Sequence, residues 1–301
     1  MKLRLGYLFT SIFLFHSYLA YSCEPPQDCL LPNSWQIGAA VGLGVRSNPL
    51  VDGDNIPLVI LPDIAWYGEA AYFDNGELGY QWYDKQNQAF TTFMHIDSER
   101  AFFSFSHAAN IFSSLTAVDS NSLETDFSSL NAVDSNSPET DVPEQPDIPE
   151  LSKDKVASRD WAVNAGIRWH YRRQNAEWKV SIEREISGVH QGAKFQLSYR
   201  HHWLWQDWQI SLTPAVVWKS DKLIDYYYGI DARDNVDSQF FYQGTAGWQP
   251  RISLSLQKPL NDRWLWLLRA SYQRLHSGMS DSPLVREENI QSVFFGLAYG
   301  F

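Results

Sequence analysis

The stretch His95-Ile96-Asp97-Ser98-Glu99 places an imidazole, two carboxylates and a hydroxyl within five residues, and Ser106-His107 follows shortly after. These are the groups of acyl transfer: a serine nucleophile, a histidine base and a carboxylate that orients it. Spacing limits what they can do. In an extended strand neighbours point to opposite faces, so His95 and Asp97 share a face that Ser98 cannot join. The reading is therefore non-enzymatic. His201 and His202 meet the same obstacle, since adjacent strand residues cannot grip one metal together. Cys23 and Cys29 are the only cysteines and fit a small disulfide loop in an oxidising compartment. Lipid attachment at Cys23 is the rival reading, although Ala20 stands where such a signal usually carries leucine. Two thiolates without nearby histidines make half a zinc site, and no residue set calls for a cofactor.

A second set of charges is spaced for a different task. Arg168, Arg172, Lys179, Glu183, Glu185, Lys194, Arg200, Arg251 and Arg269 all fall on the polar face of segments that alternate polar and apolar with a period of two. Seven are basic and two acidic. If such segments enclose a space, a basic lumen results. It would either be filled by hydrogen-bonded side chains or pass and bind small anions.

The elements that must position these residues are strands. In "WQIGAAVGLGV" one face carries Trp35, Ile37, Val41, Leu43 and Val45 while the other carries only Gln36, glycines and Ala40. "WAVNAGIRWHYR", "WKVSIE", "KFQLSYR" and "SVFFGLAYGF" repeat the pattern, with Phe294 the one bulky residue on the small face of the last. A secreted sandwich with one wet face would alternate too. The segments, however, are as long as the roughly 9–11 residues that cross a membrane at a tilt. Tryptophans such as Trp35, Trp82, Trp178, Trp205 and Trp264 gather at segment ends, as at a membrane interface. The fold expected is all-β: a transmembrane antiparallel up-and-down β-barrel. Strands fall at about 35–46, 56–67, 69–74, 77–84, 88–97, 159–172, 177–186, 190–202, 207–218, 240–258, 263–276 and 289–301. That is twelve strands, or ten if the short segment 69–74 folds in.

Residues 1–22 read as a secretory signal, with Lys2 and Arg4 before an apolar run, and 23–301 as the barrel. Short turns then lie in the periplasm and long connections outside. The longest, 98–158, contains a tandem repeat, "SSLTAVDSNSLETD" and "SSLNAVDSNSPETD", and reads as a mostly disordered extracellular loop. Nine acids between Ser113 and Ser152 account for most of the net charge of -11, leaving about -2 elsewhere. With no basic cluster to meet phosphates, a nucleic-acid partner is excluded.

"WQIGAAVGLGV", "IPLVILPDIAWYGEAAYFDNGELGYQW", "DYYYGID", "DSPLV" and the terminal "GLAYGF" together resemble the MipA/OmpV family, outer-membrane proteins named for an interaction with the lytic transglycosylase MltA. The resemblance spans nearly the whole mature chain, departing at "SNPLVDGDN" and in the enlarged 98–158 loop. It implies a location in the outer membrane of a Gram-negative type cell, contact with its lipid, and a terminal Phe301 read by the barrel insertion machinery. It further implies an envelope scaffold tied to peptidoglycan synthesis and turnover, with murein-processing enzymes on the periplasmic side meeting the short turns and Cys23 to Ser34. The alternative is a porin-like channel or binding protein for small solutes or anions.

Overall fold

The computed structural model describes residues 33–85, 87–104 and 150–300. The signal region, Cys23, Cys29, Ser106, His107, the acidic repeat and Phe301 lie outside the described residues.

Alternation along each segment produces extended strands, and their pairing needs no crossover. The strands are β1 (Ser34–Arg46), β2 (Ile56–Tyr67), β3 (Ala71–Asp74), β4 (Glu77–Lys85), β5 (Gln88–Ile96), β6 (Val163–Arg173), β7 (Ala176–Glu185), β8 (Ala193–Trp205), β9 (Trp208–Lys219), β10 (Gly247–Pro259), β11 (Trp264–Arg274) and β12 (Asn289–Gly300). Each pairs antiparallel with its neighbours in sequence, and β12 returns to β1 to close the barrel. Closure leaves lipid no sheet edge to solvate along that joint. Register there runs from Gly38 opposite Gly300 to Arg46 opposite Ser292. Val41, Leu43, Val45 and Val293 point outward and are exposed. Among the described residues no helix is long and apolar enough to cross a membrane.

The short segment after β2 is a true strand of four residues, which gives twelve rather than ten. It turns into β4 through Asn75-Gly76, both at positive φ, the chemistry of a tight hairpin. Strand β10 begins at Gly247 rather than near 240, because Ser238–Phe240 forms a 3-10 turn and Tyr242 bridges instead to Ile230.

The long connections gather at one end of the barrel, toward which the short β3–β4 and β7–β8 turns also point, and the other short turns lie at the opposite end. By the rule that short turns are periplasmic, the long ones face outward. They fold over the barrel mouth into a core of their own. In α1 (Asp221–Tyr228) the buried residues Leu223, Ile224, Tyr227 and Tyr228 share one face at helical spacing, and Ser220 caps the helix by accepting from the Leu223 N–H. Against that face pack Leu50, Phe102 and Leu151, with Met279 from α2 (Ser277–Ser280) and Leu284 beyond it. Each such side chain contributes about 1.5–3 kcal/mol by leaving water.

The ends of the 98–158 connection therefore do not follow the expectation of a disordered loop. Phe102 and Leu151 are buried, the Leu151 N–H donates to Pro283 O, and Arg286 Nη2 donates to Glu150 Oε2 at 2.8 Å. Their burial in the cap outweighs the polar composition around them. Deleting Ser113 to Pro146 is expected to leave the thermal unfolding of the purified barrel unchanged, because loop length alters closure entropy only slowly. Extending the deletion through Ser152 removes Leu151 and should cost about 2–5 kcal/mol, read as an earlier loss of heat-resistant migration in detergent gels.

Candidate functional site

Inside the wall, large inward side chains face small ones. Phe294 fills the lumen opposite Gly44, and a Cβ on Gly79 would collide with the Tyr72 ring. Apolar Ala40, Ile56, Leu58, Leu61, Leu265, Leu267, Phe294 and Ala298 cluster on β1, β2, β11 and β12. The remaining strands line the lumen with ion pairs.

Arg168 on β6 reaches Glu77 on β4 through two parallel hydrogen bonds, Nη1 to Oε1 at 2.6 Å and Nη2 to Oε2 at 2.7 Å, the strong bidentate geometry. Its guanidinium also lies 4.0 Å from the centre of the Phe93 ring. Glu177 binds His170 Nδ1 at 2.8 Å and accepts from Arg200 Nη1 at 3.5 Å. Lys194 donates to both Asp97 oxygens, at 3.2 and 3.1 Å, and lies 3.5 Å from Glu183, which in turn meets His95 at 2.9 Å. Lys179 occupies the same inner row, opposite His170. Arg172 lies 3.6 Å from Asp84 near the periplasmic turns. Glu185 contributes no lumen charge: it accepts from the Ser187 hydroxyl and the His190 and Gln191 N–H groups, tying the turn after β7.

The seven-to-two basic balance read from parity is thus corrected by Glu77, Asp97 and Glu177, which face the same space. Glu177 carried a usable signal, since the parity that selects Lys179 selects it too. Glu77 carried it too, since it alternates with the outward Leu78, Tyr80 and Trp82, but its partner, ninety-one residues away, could not be read from parity. Arg251 and Arg269 differ from the rest. Nε of Arg251, and Nε and Nη1 of Arg269, are buried with no hydrogen-bond partner among the described residues. Beside Arg269 lies a cavity of about 20 Å³ bounded by Gly38, Ala40, Leu61, Asp63, Leu267 and Ala298.

His95 and Asp97 join one network, while Ser98 precedes the 3-10 turn Glu99–Phe102 and makes no side-chain cap bond there. His202 meets Ser211 Oγ at 2.8 Å, whereas exposed His201 stacks with half-buried Tyr199 on the other face. Among the described residues no three His, Cys, Asp or Glu side chains are grouped to hold a metal.

Above the lumen, rim charges fasten the cap. Lys219 Nζ lies 2.7 Å from Glu99 Oε1, and the Tyr228 hydroxyl of α1 donates to Glu99 Oε2 at 2.9 Å. Burial pushes the Glu99 and Asp97 carboxyls up, but the charges of Lys219 and Lys194 outweigh it and hold both below the usual carboxylate range. Arg159 Nη1 donates to Asp234 Oδ1 at 2.7 Å with both side chains essentially inaccessible, and Nη2 donates to Gly229 O.

A family profile described as MltA-interacting protein MipA matches residues 37–301. The outer membrane protein YiaT of Escherichia coli (strain K12) is 25% identical over 52% of this chain and 63% of its own length. The MltA-interacting protein of the same strain is 28% identical over 31% of this chain and 38% of its own. The chain thus spans less than two thirds of the length of these relatives. A loop-deleted OmpT of Vibrio cholerae, itself an outer membrane protein, covers 89% of this chain with 99% of its own at 5% identity and a TM-score of 0.35, a likeness too loose to argue from.

Proposed function

The chain belongs to the MltA-interacting protein MipA family and is a β-barrel of the outer membrane, and from that premise we propose that it catalyses no reaction and serves as an envelope scaffold holding a murein-processing enzyme of the MltA kind at its periplasmic face. The observation that supports this reading most is the closed outer mouth. Four connections bury Leu50, Phe102, Leu151, Leu223, Tyr228 and Leu284 in one core across it, and ion pairs with Phe294 occupy the space beneath. A pore for solutes needs a wet path from end to end, whereas a scaffold needs only a rigid wall and an accessible face.

The alternative, a binding protein or channel for small anions, draws on Arg251 and Arg269, whose buried donors lack partners among the described residues. One experiment separates the two. Purified full-length barrel should give little steady conductance in a planar bilayer and should retain purified MltA on a column. Retention should fall when Cys23 to Ser34 is replaced by a glycine-serine linker. Stable anion-selective openings, with no retention of MltA, would sink the scaffold in favour of the channel.

A further inference from the structure

The barrel wall has one weak seam. Strand β2 pairs with β1 along its whole length, but with β3 only at Ala65–Asp74, Trp66–Phe73 and Tyr67–Tyr72. The tip of the β3–β4 hairpin then stops against Ile64: Asn75 N–H donates to Ile64 O, Ile64 N–H to Asn75 Oδ1, and Asn75 Nδ2 to Asp63 Oδ1. Above it, Ile56 to Asp63 have no partner strand on that side among the described residues, a length of about 26 Å at strand rise. The gap lies at membrane depth, because Ile60 is opposite Val41, the middle of the outward apolar row of β1. Val59 and Ile60 are 49% and 62% exposed beside it.

A further feature fits an edge kept open there. Pro62, two residues before Ile64, turns its nitrogen to the same unpaired side and offers no N–H to be stranded in lipid.

Behind the seam is the apolar half of the lumen, and beside Leu61 and Leu267 lies the guanidinium of Arg269, whose Nε and Nη1 are buried with no hydrogen-bond partner among the described residues. A greasy wall ending at a cation with unused donors matches one ligand class, a single acyl chain with an anionic head. We infer that the β2–β3 seam is a side entrance through which a fatty acid passes from the outer leaflet into the lumen, its chain along Leu58, Leu61, Leu267 and Phe294 and its carboxylate at Arg269. The cavity at Arg269 holds only a water-sized group, so entry requires the hairpin tip to leave β2. The link is Asp63, which borders the Arg269 cavity and also holds Asn75. A carboxylate arriving at Arg269 competes with Asp63 for that cation, so occupancy and the hold on the hairpin depend on one side chain. This inference goes beyond the scaffold reading and does not rest on it, since a side entrance gives no path across the membrane.

The test uses full-length barrel in nonionic micelles, with Cys23 and Cys29 replaced by serine and folding verified by heat-modifiable migration. Radiolabelled oleate should be retained at about one per barrel, and Arg269→Ala, or oleyl alcohol in place of oleate, should weaken retention about tenfold or more. Oxidising a Trp66→Cys/Phe73→Cys pair should block uptake and reduction should restore it, while oxidising Leu212→Cys/Leu254→Cys between β9 and β10 should not. Comparing oxidised with reduced forms of one variant keeps the result independent of any folding defect. No retained oleate, equal binding of the alcohol, or uptake that persists through the locked seam would each overturn the proposal.

Discussion

Replacing Arg159 with methionine is expected to undock the outer cap while leaving the barrel wall standing. Asp234 would remain buried with its short ion pair gone and only Arg233 Nε, 3.8 Å from Oδ2, to face it, and breaking one side of a buried pair costs about 3–5 kcal/mol. The loss is local, because the bonds involved lie within the cap: Arg159 donates to Ala157 O, Gly229 O and Asp234, and Asp234 in turn accepts from the Ala157 and Asp231 N–H groups. Protease added to intact cells should then cut near residues 221–242, which are protected in the parent. Heat-modifiable migration should persist. The double variant Arg159→Met/Asp234→Leu should recover much of the protection, since an apolar pair of similar volume avoids the stranded charge. Cutting of both variants alike would place the stabilisation in packing around α1 rather than in the ion pair.

The same cap has a predictable response to acid. Asp97, Glu99 and Asp234 are buried, yet their cationic and hydrogen-bonding partners hold them below the ordinary carboxylate range. A depressed carboxyl contributes stability above its unfolded value, near about 4, and loses it only as pH falls through the lower folded value. Protection in the parent should therefore survive mild acid and fail only below that range.

Much of the wall was legible because lipid and lumen impose opposite demands on successive residues. Leu43 beside Gly42 and Gly44, or Ile167 between Gly166 and Arg168, can be placed by parity alone, and β1, β2 and β12 begin and end within a residue of where alternation puts them. The cap was not legible. Its core joins Leu50, Phe102, Leu151 and Leu284, isolated apolar residues in separate irregular segments with no shared period to mark them. Only α1 carried a local signal, in the spacing of Leu223, Ile224, Tyr227 and Tyr228. The aromatic run Phe240-Phe241-Tyr242 has the composition of a strand, but Asp237 accepts from the Gln239 N–H and stabilises a turn there instead. Within the lumen, parity tells which way a charge points and not whom it meets, and so the basic residues looked freer than they are.

Arg168 shows the consequence most sharply. On parity it would belong with Arg251 and Arg269 as a determinant of anion preference, and removing all three would be the natural experiment. Its bidentate bond to Glu77, braced by the Tyr72 hydroxyl that also donates to Glu77 Oε1 at 2.8 Å, gives it a different role. Arg168→Met should therefore act as a stability variant, losing about 3–5 kcal/mol because the Glu77 charge is left stranded. The loss should be concentrated around the short β3–β4 hairpin, where few ladder pairs share the load. The paired variant Arg168→Met/Glu77→Leu should unfold close to the parent temperature. Arg251→Ala and Arg269→Ala, by contrast, remove cations whose buried donors lack hydrogen-bond partners among the described residues and should cost little or even stabilise, since burying an unpaired charge is itself unfavourable. Thermal unfolding of the four variants in one detergent distinguishes these roles. Equal losses from all three single arginine variants would mean that the lumen shares its charge as one network, and that the distinction between paired and free guanidinium groups has no energetic weight.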